Sequence, residues 1–408
     1  MEMAGQQRRL TSDFQPETVS TIVDLLAASS DARLVVEPGL TLRATLPQFE
    51  NFNPEDADRC YSAGGPWIAI PDVWIPINGR DPAPDLTLHV LSDARIYGGS
   101  MTRLSDSMPH RHWSGQLLTT SRDELFSGSY GILDGAPSLP GDLVEDTTDG
   151  PILNYSGPTE ALAGEFLFIG SVHSHFGHVM LEGLSRLWAL EQLPESMRAS
   201  IKLLIYEPVL PEFAALLLAR LGFGPERIVH APPSAIVERL LVPSPAMQTH
   251  VWVREQQGRT WQAIAGAPGI GEATGRRLYL SRRAVPHRSL SNEAEIEQLL
   301  AGAGYEIIVP EAMTIDEQIG AVRQADSLVG CVGSAMYLAA FQKPGGRNVV
   351  IAPRNFFLID DVLVANAVGH ELRVVLGEVR APWADVTPWT CDPLTVKRVL
   401  EQMGLFQA

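Results

Sequence analysis

The stretch 327-SLVGCVGSAMYLAAF-341 decides the fold, because an apolar strand pattern runs through small residues directly into a helical pattern. A strand that passes into a helix in this way begins a strand–helix–strand unit, whose strands lie parallel. The first backbone N–H groups of a helix carry the positive end of its dipole, so Gly333, Ser334 and Ala335 are predicted to bind an anion such as phosphate. Tight packing of helix on strand would also explain the small residues. A Walker loop is excluded, because GxxxxGK[ST] is absent.

The same alternation continues on both sides of this stretch. Between residues 276 and 353, strand and helix patterns alternate in the segments RRLYLSR, NEAEIEQLLAGAG, YEIIVP, TIDEQIGAVRQA, DSLVGCVG, SAMYLAAFQ and RNVVIAP. Thr314 and Glu317 form a T-x-x-E capping box, and Asn292 or Ser291 can cap the preceding helix. Repeated units of this kind predict a parallel sheet covered by helices.

An earlier series, from residue 166 to 231, has the same rhythm. FLFIGS, IKLLIY and ERIVHA are strand patterns, and FGHVMLEGLSRLWALEQL and EFAALLLARLG are the helices between them. Before this series, segments such as LTLHVL and GQLLTT are cut by Pro, Asp and Gly, which predicts β-rich structure with many turns. Residues 231–275 are rich in Pro, Gly and Gln and weakly periodic, so they are predicted to connect the two series.

The simplest architecture is therefore α/β, with two Rossmann-like domains that face each other and an additional β-rich N-terminal region. The final segment is predicted as one amphipathic helix, with Asp392 as its N-cap and Pro393 at its first position. The predicted divisions are an N-terminal extension (1–32), an N-terminal domain (33–255, β-rich over 33–150 and Rossmann-like over 151–255), a C-terminal Rossmann-like domain (256–390) and a C-terminal helix (391–408), which could pack back on the N-terminal domain.

Composition limits the class of partner. The chain has 408 residues, is 45% hydrophobic and carries a formal charge of −17, from 48 acidic and 31 basic residues. This charge argues against a nucleic-acid partner, because neutralising phosphates needs a basic surface. Cys60, Cys331 and Cys391 form no CxxC pair, which fits a reducing compartment. We find neither a secretory signal nor an apolar window long enough to span a bilayer, so a cytoplasmic location is expected.

Three histidines precede a predicted helix in 171-SVHSHFGHVMLEGLSRLWAL-190. His-x-His with a third His nearby is a common ligand pattern for zinc or iron, so His173, His175 and His178 could form a metal site. No HExxH or carboxylate–histidine signature completes that ligand set. The histidines could also be polar residues at a helix start.

Proton transfer is a further interpretation of the same segment. His178 and Glu182 are four residues apart and share a helix face, which Arg186 continues one turn later. The turn from strand to helix lies at the carboxyl edge of a parallel sheet, where ligands bind in such folds. An ordinary ion pair between Glu182 and Arg186 is the alternative.

Arginines cluster at the start of the second series, in 281-SRRAVPHRSLSNE-293. Arg282, Arg283 and Arg288 follow a predicted strand, and a planar guanidinium suits a diphosphate well. Each could instead be solubilising charge. Glu293 could accept hydrogen bonds from ribose hydroxyls or be a surface acid favoured by the helix dipole.

These two regions together resemble glycosyltransferase family 61, in particular a bacterial member of its capsular-polysaccharide and xylosyltransferase-like groups. HFGHVMLEGLSRLW is similar to the family's Asn-aromatic-x-His-x-x-x-Glu/Asp-x-x-x-Arg-Leu segment, and the series from LYLSRR to SLVGCVGSA is similar to its catalytic region. The resemblance implies a GT-B fold, two Rossmann-like domains facing a cleft, with inverting chemistry. It also implies a nucleotide sugar as substrate, expected to be a UDP-sugar, and no essential metal or other cofactor.

The resemblance also implies roles for individual residues. His178 and Glu182 are predicted to be catalytic, and His175 and Arg186 to line the acceptor cleft. Val332 stands where the family usually has histidine. The predicted nucleotide-sugar-binding residues are Arg282, Arg288, Asn292, Glu293, Gln318, Gly330, Gly333, Ser334 and Ala335.

The predicted function is inverting transfer of a hexosyl or pentosyl group to a hydroxyl of a glycan or other acceptor. Glu182 is the predicted base, with His178 orienting or replacing it. Arg282, Arg288 and the 333–335 turn are predicted to stabilise the leaving diphosphate. Two alternatives stay open: a non-catalytic nucleotide- or sugar-binding member of the family, suggested by Val332, and, less favoured, a metal-dependent hydrolase.

Overall fold

A computed structural model of the chain describes most of the two series. The described residues are 7–11, 14–39, 48–50, 83–100, 114–126, 131–133, 136–138, 143–148, 150–170, 172, 175–206, 209–266, 275–287, 289–354, 356–379 and 388–406. Cys60, His173, Arg288 and much of the predicted β-rich region lie outside them.

Among these residues the first large sheet has eight strands, in the order β13-β12-β11-β14-β5-β3-β2 with β6 beside β5. The strands of the first half are β1 (Gln7–Arg9), β2 (Glu17–Val19), β3 (Ala32–Glu37), β4 (Gln48–Glu50), β5 (Leu86–Ser100), β6 (Ser114–Thr119), β7 (Gly131–Leu133), β8 (Ala136–Ser138), β9 (Val144–Thr147), β10 (Gly150–Asn154), β11 (Glu160–Gly170), β12 (Lys202–Ile205), β13 (Ile228–His230), β14 (Ser234–Pro243), β15 (Met247–Gln248) and β16 (Trp252–Val253). β13, β12, β11 and β14 are mutually parallel, and β5 joins them antiparallel.

The second large sheet, over the described residues, has the order β18-β17-β19-β20-β21-β22, and β4 from the first half joins it beside β21. Its other strands are β17 (Arg276–Leu280), β18 (Glu306–Ile308), β19 (Ala325–Cys331), β20 (Arg347–Pro353), β21 (Glu371–Val379) and β22 (Trp389–Thr390). β17 to β21 are parallel in the doubly wound order 2-1-3-4-5. Strand order reverses between β17 and β19, and ligands bind at such a switch point in this class of sheet.

Helices connect the strands and cover the sheets. The described α-helices are α1 (Ile22–Ala27), α2 (Phe176–His178), α3 (Glu195–Ser200), α4 (Glu212–Arg220), α5 (Glu255–Ala265), α6 (Glu293–Gly302), α7 (Ile315–Arg323), α8 (Asp360–Val368) and α9 (Pro393–Gln402). A π-helix spans Val179–Gly183, and 3-10 helices span Leu187–Glu191, Pro225–Arg227, Pro310–Ala312 and Ser334–Phe341. None of the described helices combines the length and apolar composition that a membrane crossing needs.

One apolar core lies between the two sheets and joins them. Alternate strand residues such as Leu167 and Leu203 of the first sheet and Leu278 and Leu328 of the second belong to it. The helical layer between them includes the 179–189 segment, α4, α5, α8 and the 334–341 helix. Residues of opposite orientation on the second sheet, such as Val329, form a separate core with α6 and α9.

The predicted alternation of strands and helices is confirmed, and four local predictions are wrong. Residues 231–275 are not a connection, because they contain β14, which lies inside the first sheet, and α5. The predicted helix from 176 to 193 is divided into short α, π and 3-10 turns. Asn292 does not cap α6, whereas the capping box of Thr314 and Glu317 is present.

The fourth difference concerns the last helix. Asp392 caps α9 as predicted, accepting hydrogen bonds from the backbone N–H groups of Leu394 and Thr395 at 3.1 and 3.2 Å. Its buried residues Val396, Val399 and Leu400 face the outer core of the second sheet. Over the described residues it therefore packs in the core of the half of the molecule to which it is connected.

Close contact between α5 and α8 generates a stability prediction. A Cβ added to Gly258 would lie 2.2 Å from the carbonyl oxygen of Ala367. Gly258→Ala should therefore lower the free energy of unfolding by about 1–3 kcal/mol, because the helices must separate. Chemical denaturation measures this. The matched control is Gly320→Ala in α7, where nothing lies within 4 Å of the added Cβ, and a gain of up to about 1 kcal/mol is expected from helix propensity. Equal effects of the two substitutions would contradict the proposed contact.

Candidate active site

Two polar side chains lie together where β11 and β14 end. His178 Nδ1 lies 2.7 Å from Glu182 Oε2, and Thr249 Oγ1 donates a hydrogen bond to Glu182 Oε1 at 3.0 Å. The side chains of His178 and Glu182 are 26% and 38% exposed, so solutes can reach them. β11 and β14 are the parallel strands at which the order of the first sheet reverses, so this pair occupies the switch point of that sheet.

The charge state of Glu182 follows from these contacts. Burial raises the pKa of its carboxyl group, but hydrogen bonds from His178 and Thr249 and the charges of His178 and His250 lower it, and the net pKa is below the ordinary value. Glu182 is thus a carboxylate near neutral pH. A carboxylate only accepts hydrogen bonds, so Nδ1 of His178 must carry the proton between them.

The π-helix explains why Arg186 is not part of this pair. The N–H of Leu184 bonds to the carbonyl of Val179, five residues back, at 3.0 Å, so residues four apart no longer stack on one face beyond this point. The Arg186 guanidinium instead donates to the Pro243 carbonyl and lies over the Phe168 ring, 5.7 Å from its centroid. Burial lowers the pKa of Arg186 to about 10. Arg186 and Glu182, both described, do not form the expected ion pair, and Arg186 anchors the end of β14.

His175 lies beside His178 at the start of the same helical turn. The two imidazole centroids are 5.3 Å apart with the rings nearly edge to face, and His175 is exposed. A metal site would also need His173, which lies outside the described residues. Among the residues that are described, no three His, Cys, Asp or Glu side chains are close enough to hold a metal ion.

A second group of residues lies at the switch point of the second sheet. Arg282 follows β17, is only 6% exposed, and donates from Nη2 to the carbonyl of His287 at 3.2 Å. Within the described part of the chain its guanidinium has no ion pair, and its buried Nε has no hydrogen-bond partner. A buried charge without a counterion is costly unless a ligand supplies one.

Gly333 makes room for this guanidinium. Its φ angle is +139°, and a Cβ added there would lie 2.5 Å from Nη1 of Arg282. The 3-10 helix begins immediately afterwards, and its first residues Ser334 and Ala335 stay partly exposed while Met336 to Phe341 are buried. The exposed N–H groups at a helix start and a guanidinium beside them form a suitable anion site.

Glu293, another predicted donor-site residue, is buried and makes hydrogen bonds within the protein. Glu293 is 7% exposed, and its Oε1 accepts hydrogen bonds from the Arg282 backbone N–H at 2.7 Å and the Tyr279 hydroxyl at 3.0 Å. Burial raises the pKa of Glu293. Glu293 therefore holds the backbone of Arg282. Its Oε1 already accepts two hydrogen bonds from the protein before any ribose could bind.

Asn292, Gln318 and Gly330 also make internal contacts. The Asn292 side chain bonds to the backbone N–H and carbonyl of Cys391, at 3.1 and 2.8 Å, which ties α6 to the residue after β22. Gln318 Nε2 donates to the carbonyls of Pro310 and Met313 at 2.8 and 3.1 Å. A Cβ on Gly330 would lie 2.7 Å from Met336 Sδ, so this glycine is required for packing. The structure brings none of these three onto the anion site.

The two switch points meet at Gly177. A Cβ added to this residue would lie 3.1 Å from Ser334 Cβ and 3.2 Å from Tyr337 Cε2. Gly177 precedes His178, and Ser334 follows Gly333, so the imidazole–carboxylate pair and the anion turn lie on neighbouring segments. The helical turn that carries His178 therefore packs against the start of the 334–341 helix.

Sequence reasoning missed three residues of this site. Thr249 bonds Glu182, and His250 contacts the buried carboxylate of Asp360, with 2.5 Å between Nδ1 and Oδ2. Thr249 and His250 lie in the segment predicted to be a connection. Asp360 opens α8, where an acidic residue is normally explained by the helix dipole alone.

Comparison with known proteins finds a family to which the segment that carries this geometry is similar. Residues 176–350 match the family model described as Glycosyltransferase 61. The matched range begins at the helical turn that carries His178 and ends inside β20, so it contains both Glu182 and the 333–335 turn. The predicted resemblance to this family is confirmed. No curated protein matches the chain.

A buried acid next to the site gives a pH prediction. Asp361 is 5% exposed, and within the part of the chain that the structure describes both of its carboxylate oxygens lack a hydrogen-bond partner. Burial and the neighbouring Asp360 raise its pKa well above the ordinary value of 3.8. An acid whose pKa is raised on folding contributes stability at low pH that is lost as pH rises. Asp361→Asn should therefore raise the melting temperature at pH 8 and leave it nearly unchanged at pH 4. An equal shift at both pH values would show that Asp361 is not protonated in the folded state.

Proposed function

Because residues 176–350 match the family model described as Glycosyltransferase 61, we propose that the protein is an inverting glycosyltransferase that moves a hexosyl or pentosyl group from a nucleotide sugar to a hydroxyl acceptor. The observation that carries this proposal is the Arg282 guanidinium, buried at a sheet switch point beside an exposed helix start. A diphosphate supplies both the negative charge and the oxygen atoms that such a site lacks.

The donor is proposed to bind along the second sheet. Its diphosphate would lie on Arg282 and on the backbone N–H groups of Ser334 and Ala335, with Gly333 allowing close approach. Bond cleavage places negative charge on the leaving phosphate and positive charge on the sugar ring. Guanidinium and backbone dipoles already in position stabilise that charge without reorganisation, which lowers the barrier.

The acceptor is proposed to be activated from the first sheet. Glu182 has a lowered pKa and already accepts two hydrogen bonds, so it is a poor base, and the predicted roles are exchanged: His178 takes the proton and Glu182 orients it. Since Nδ1 of His178 faces Glu182, a proton from the acceptor hydroxyl is received at Nε2. The oxygen then forms its bond to the anomeric carbon as the bond to the diphosphate breaks, which inverts the configuration.

The proposal also assigns the two halves of the chain and the two substrates. The two halves correspond to the acceptor and donor parts of a GT-B protein, divided near residue 255, with the β-rich region extending the acceptor part. The expected donor is a UDP-sugar, the acceptor is a glycan or another hydroxyl compound, and no additional cofactor takes part. The observation that both sheets present their switch points at Gly177 and Ser334 supports this division.

A second candidate is a non-catalytic member that binds a nucleotide or sugar. Val332, which stands where the family usually has histidine, is only 1% exposed and belongs to the apolar core. A nucleotide would then bind at Arg282 without sugar transfer.

Nucleotide binding tests the donor site. Arg282→Ala should weaken the binding of UDP by about 10- to 100-fold, because a charge-assisted hydrogen bond contributes roughly 1.5–3 kcal/mol. Isothermal titration calorimetry measures the dissociation constant. The matched control is Arg283→Ala, which removes an exposed guanidinium paired with Glu297 at 3.4 Å and should change UDP affinity by less than about twofold. Equal affinities of the two variants would remove Arg282 from the donor site.

Transfer rates test the base. His178→Ala should lower the turnover number by about 100- to 10,000-fold, the usual contribution of general-base catalysis. Glu182→Gln should also lower it, because an amide cannot hold the same imidazole tautomer. The assay is donor consumption with a panel of sugar acceptors, and unchanged UDP affinity is the internal control for folding. Wild-type turnover in both variants would exclude this pair from the chemistry, and UDP binding without turnover in the wild type would favour the non-catalytic candidate.

A further inference from the structure

The turn at residues 249–250 links the His178–Glu182 pair to a carboxylate from the other half of the molecule. It joins β15 to β16 and is closed by a hydrogen bond from the N–H of Val251 to the carbonyl of Gln248 at 3.0 Å. His250 has a φ angle of +65°, a left-handed conformation that residues other than glycine rarely adopt. Such a conformation persists only where the surroundings hold it, and it is concentrated at functional sites.

Asp360 is the group that holds His250. Its Oδ1 accepts a hydrogen bond from the His250 backbone N–H at 2.8 Å, and its Oδ2 lies 2.5 Å from the ring nitrogen Nδ1. The carboxylate is fully buried, and Tyr337 also donates its hydroxyl to Oδ2, at 3.5 Å. Asp360 thus fixes the backbone of His250 from α8 and lies against its ring.

Thr249, the neighbouring residue of the turn, contacts the His178–Glu182 pair directly. The Thr249 hydroxyl donates to Glu182 Oε1 at 3.0 Å, while Glu182 Oε2 is 2.7 Å from His178 Nδ1. Rotation of the backbone at 250 would move the Thr249 hydroxyl away from this oxygen. His250, Thr249 and Glu182 therefore connect Asp360 of the second half to the His178 imidazole of the first, with the backbone as the link between residues 249 and 250.

We propose that Asp360 and His250 are positioning residues, which fix the 249–250 turn so that Thr249 orients Glu182 and Glu182 in turn holds His178 as its Nδ1–H tautomer. The catalytic consequence rests on the proposed function, whereas the positioning itself does not. Asp360 belongs to the half that carries Arg282, so the geometry of the base depends on correct docking of the two halves.

The tautomer of His178 tests the positioning without any substrate. It is read by ¹⁵N NMR of histidine-labelled protein at a pH where the ring is neutral. Wild type should show the Nδ1–H form, and Asp360→Asn and Thr249→Val should shift the population towards Nε2–H. Asp361→Asn is the matched control, since it changes an adjacent buried acid whose carboxylate oxygens make no hydrogen bond among the described residues, and should keep the wild-type tautomer. An unchanged tautomer in Asp360→Asn would overturn the proposal.

Kinetics then measure the consequence for transfer. Asp360→Asn and Thr249→Val should each lower the turnover number about tenfold or more with the donor KM changed less than about twofold, and the double variant should be no slower than the slower single variant. If the losses in turnover number of the two single variants multiply in the double variant, the residues act independently, which would contradict one connected series of contacts.

If Asp360→Asn fails to fold, His250→Gly replaces it. Glycine suits the left-handed backbone and removes only the ring, and the same tautomer shift is expected. A tautomer shift in a protein without transfer activity would refute the proposed function and leave the positioning intact.

Discussion

The contact of Gly177 with Ser334 and Tyr337 is the constraint on which the site depends. Atoms approach there to within about the distance of van der Waals contact, and an added Cβ at Gly177 would meet both neighbours at 3.1 to 3.2 Å. The segment that carries His178 is thereby held against the turn that follows Gly333. In the proposed reaction the first switch point would supply a proton acceptor and the second a positive charge, and this contact would present both to the two substrates.

Buried charge is distributed unequally across this site. Glu182 is surrounded by donors, and Asp360 is matched by His250, whereas Arg282 has hydrogen bonding from only part of its guanidinium within the described residues. In the proposed function a ligand of opposite charge would complete the hydrogen bonding of this guanidinium. The Glu293 carboxyl group accepts a hydrogen bond from the Arg282 N–H, which fixes where the side chain starts, and the charge of Arg282 acts to lower the pKa of Glu293 against the effect of burial.

Much of this arrangement could be predicted from the sequence, because it depends on local signals. Apolar runs that alternate with amphipathic segments gave the strands and helices of both sheets, and the T-x-x-E box and Asp392 marked helix starts correctly. The spacing of His178 and Glu182 is short enough that a single helical turn brings them together. The small residues at 333–335 likewise mark a turn without knowledge of the rest of the fold.

What could not be predicted depends on tertiary contacts or on irregular helix. The π-helix at Val179–Gly183 changes which residues share a face, so the i,i+4 rule failed for Glu182 and Arg186. Glu293, Asn292 and Gln318 have the polarity of binding residues, but each is engaged by backbone groups inside the protein. His250 and Asp360 are 110 residues apart, and no local pattern connects them. The weak periodicity of 231–275 concealed a central strand and the turn that carries Thr249.

The central claim is that one site contains a diphosphate held by the second sheet and a proton acceptor contributed by the first. A crystal structure of the protein with bound UDP tests it most directly. We expect phosphate oxygens within hydrogen-bond distance of the Arg282 guanidinium and the N–H groups of Ser334 and Ala335, with Nε2 of His178 directed towards the space beside the terminal phosphate. UDP bound elsewhere, or a diphosphate shielded from His178 by intervening protein, would contradict it.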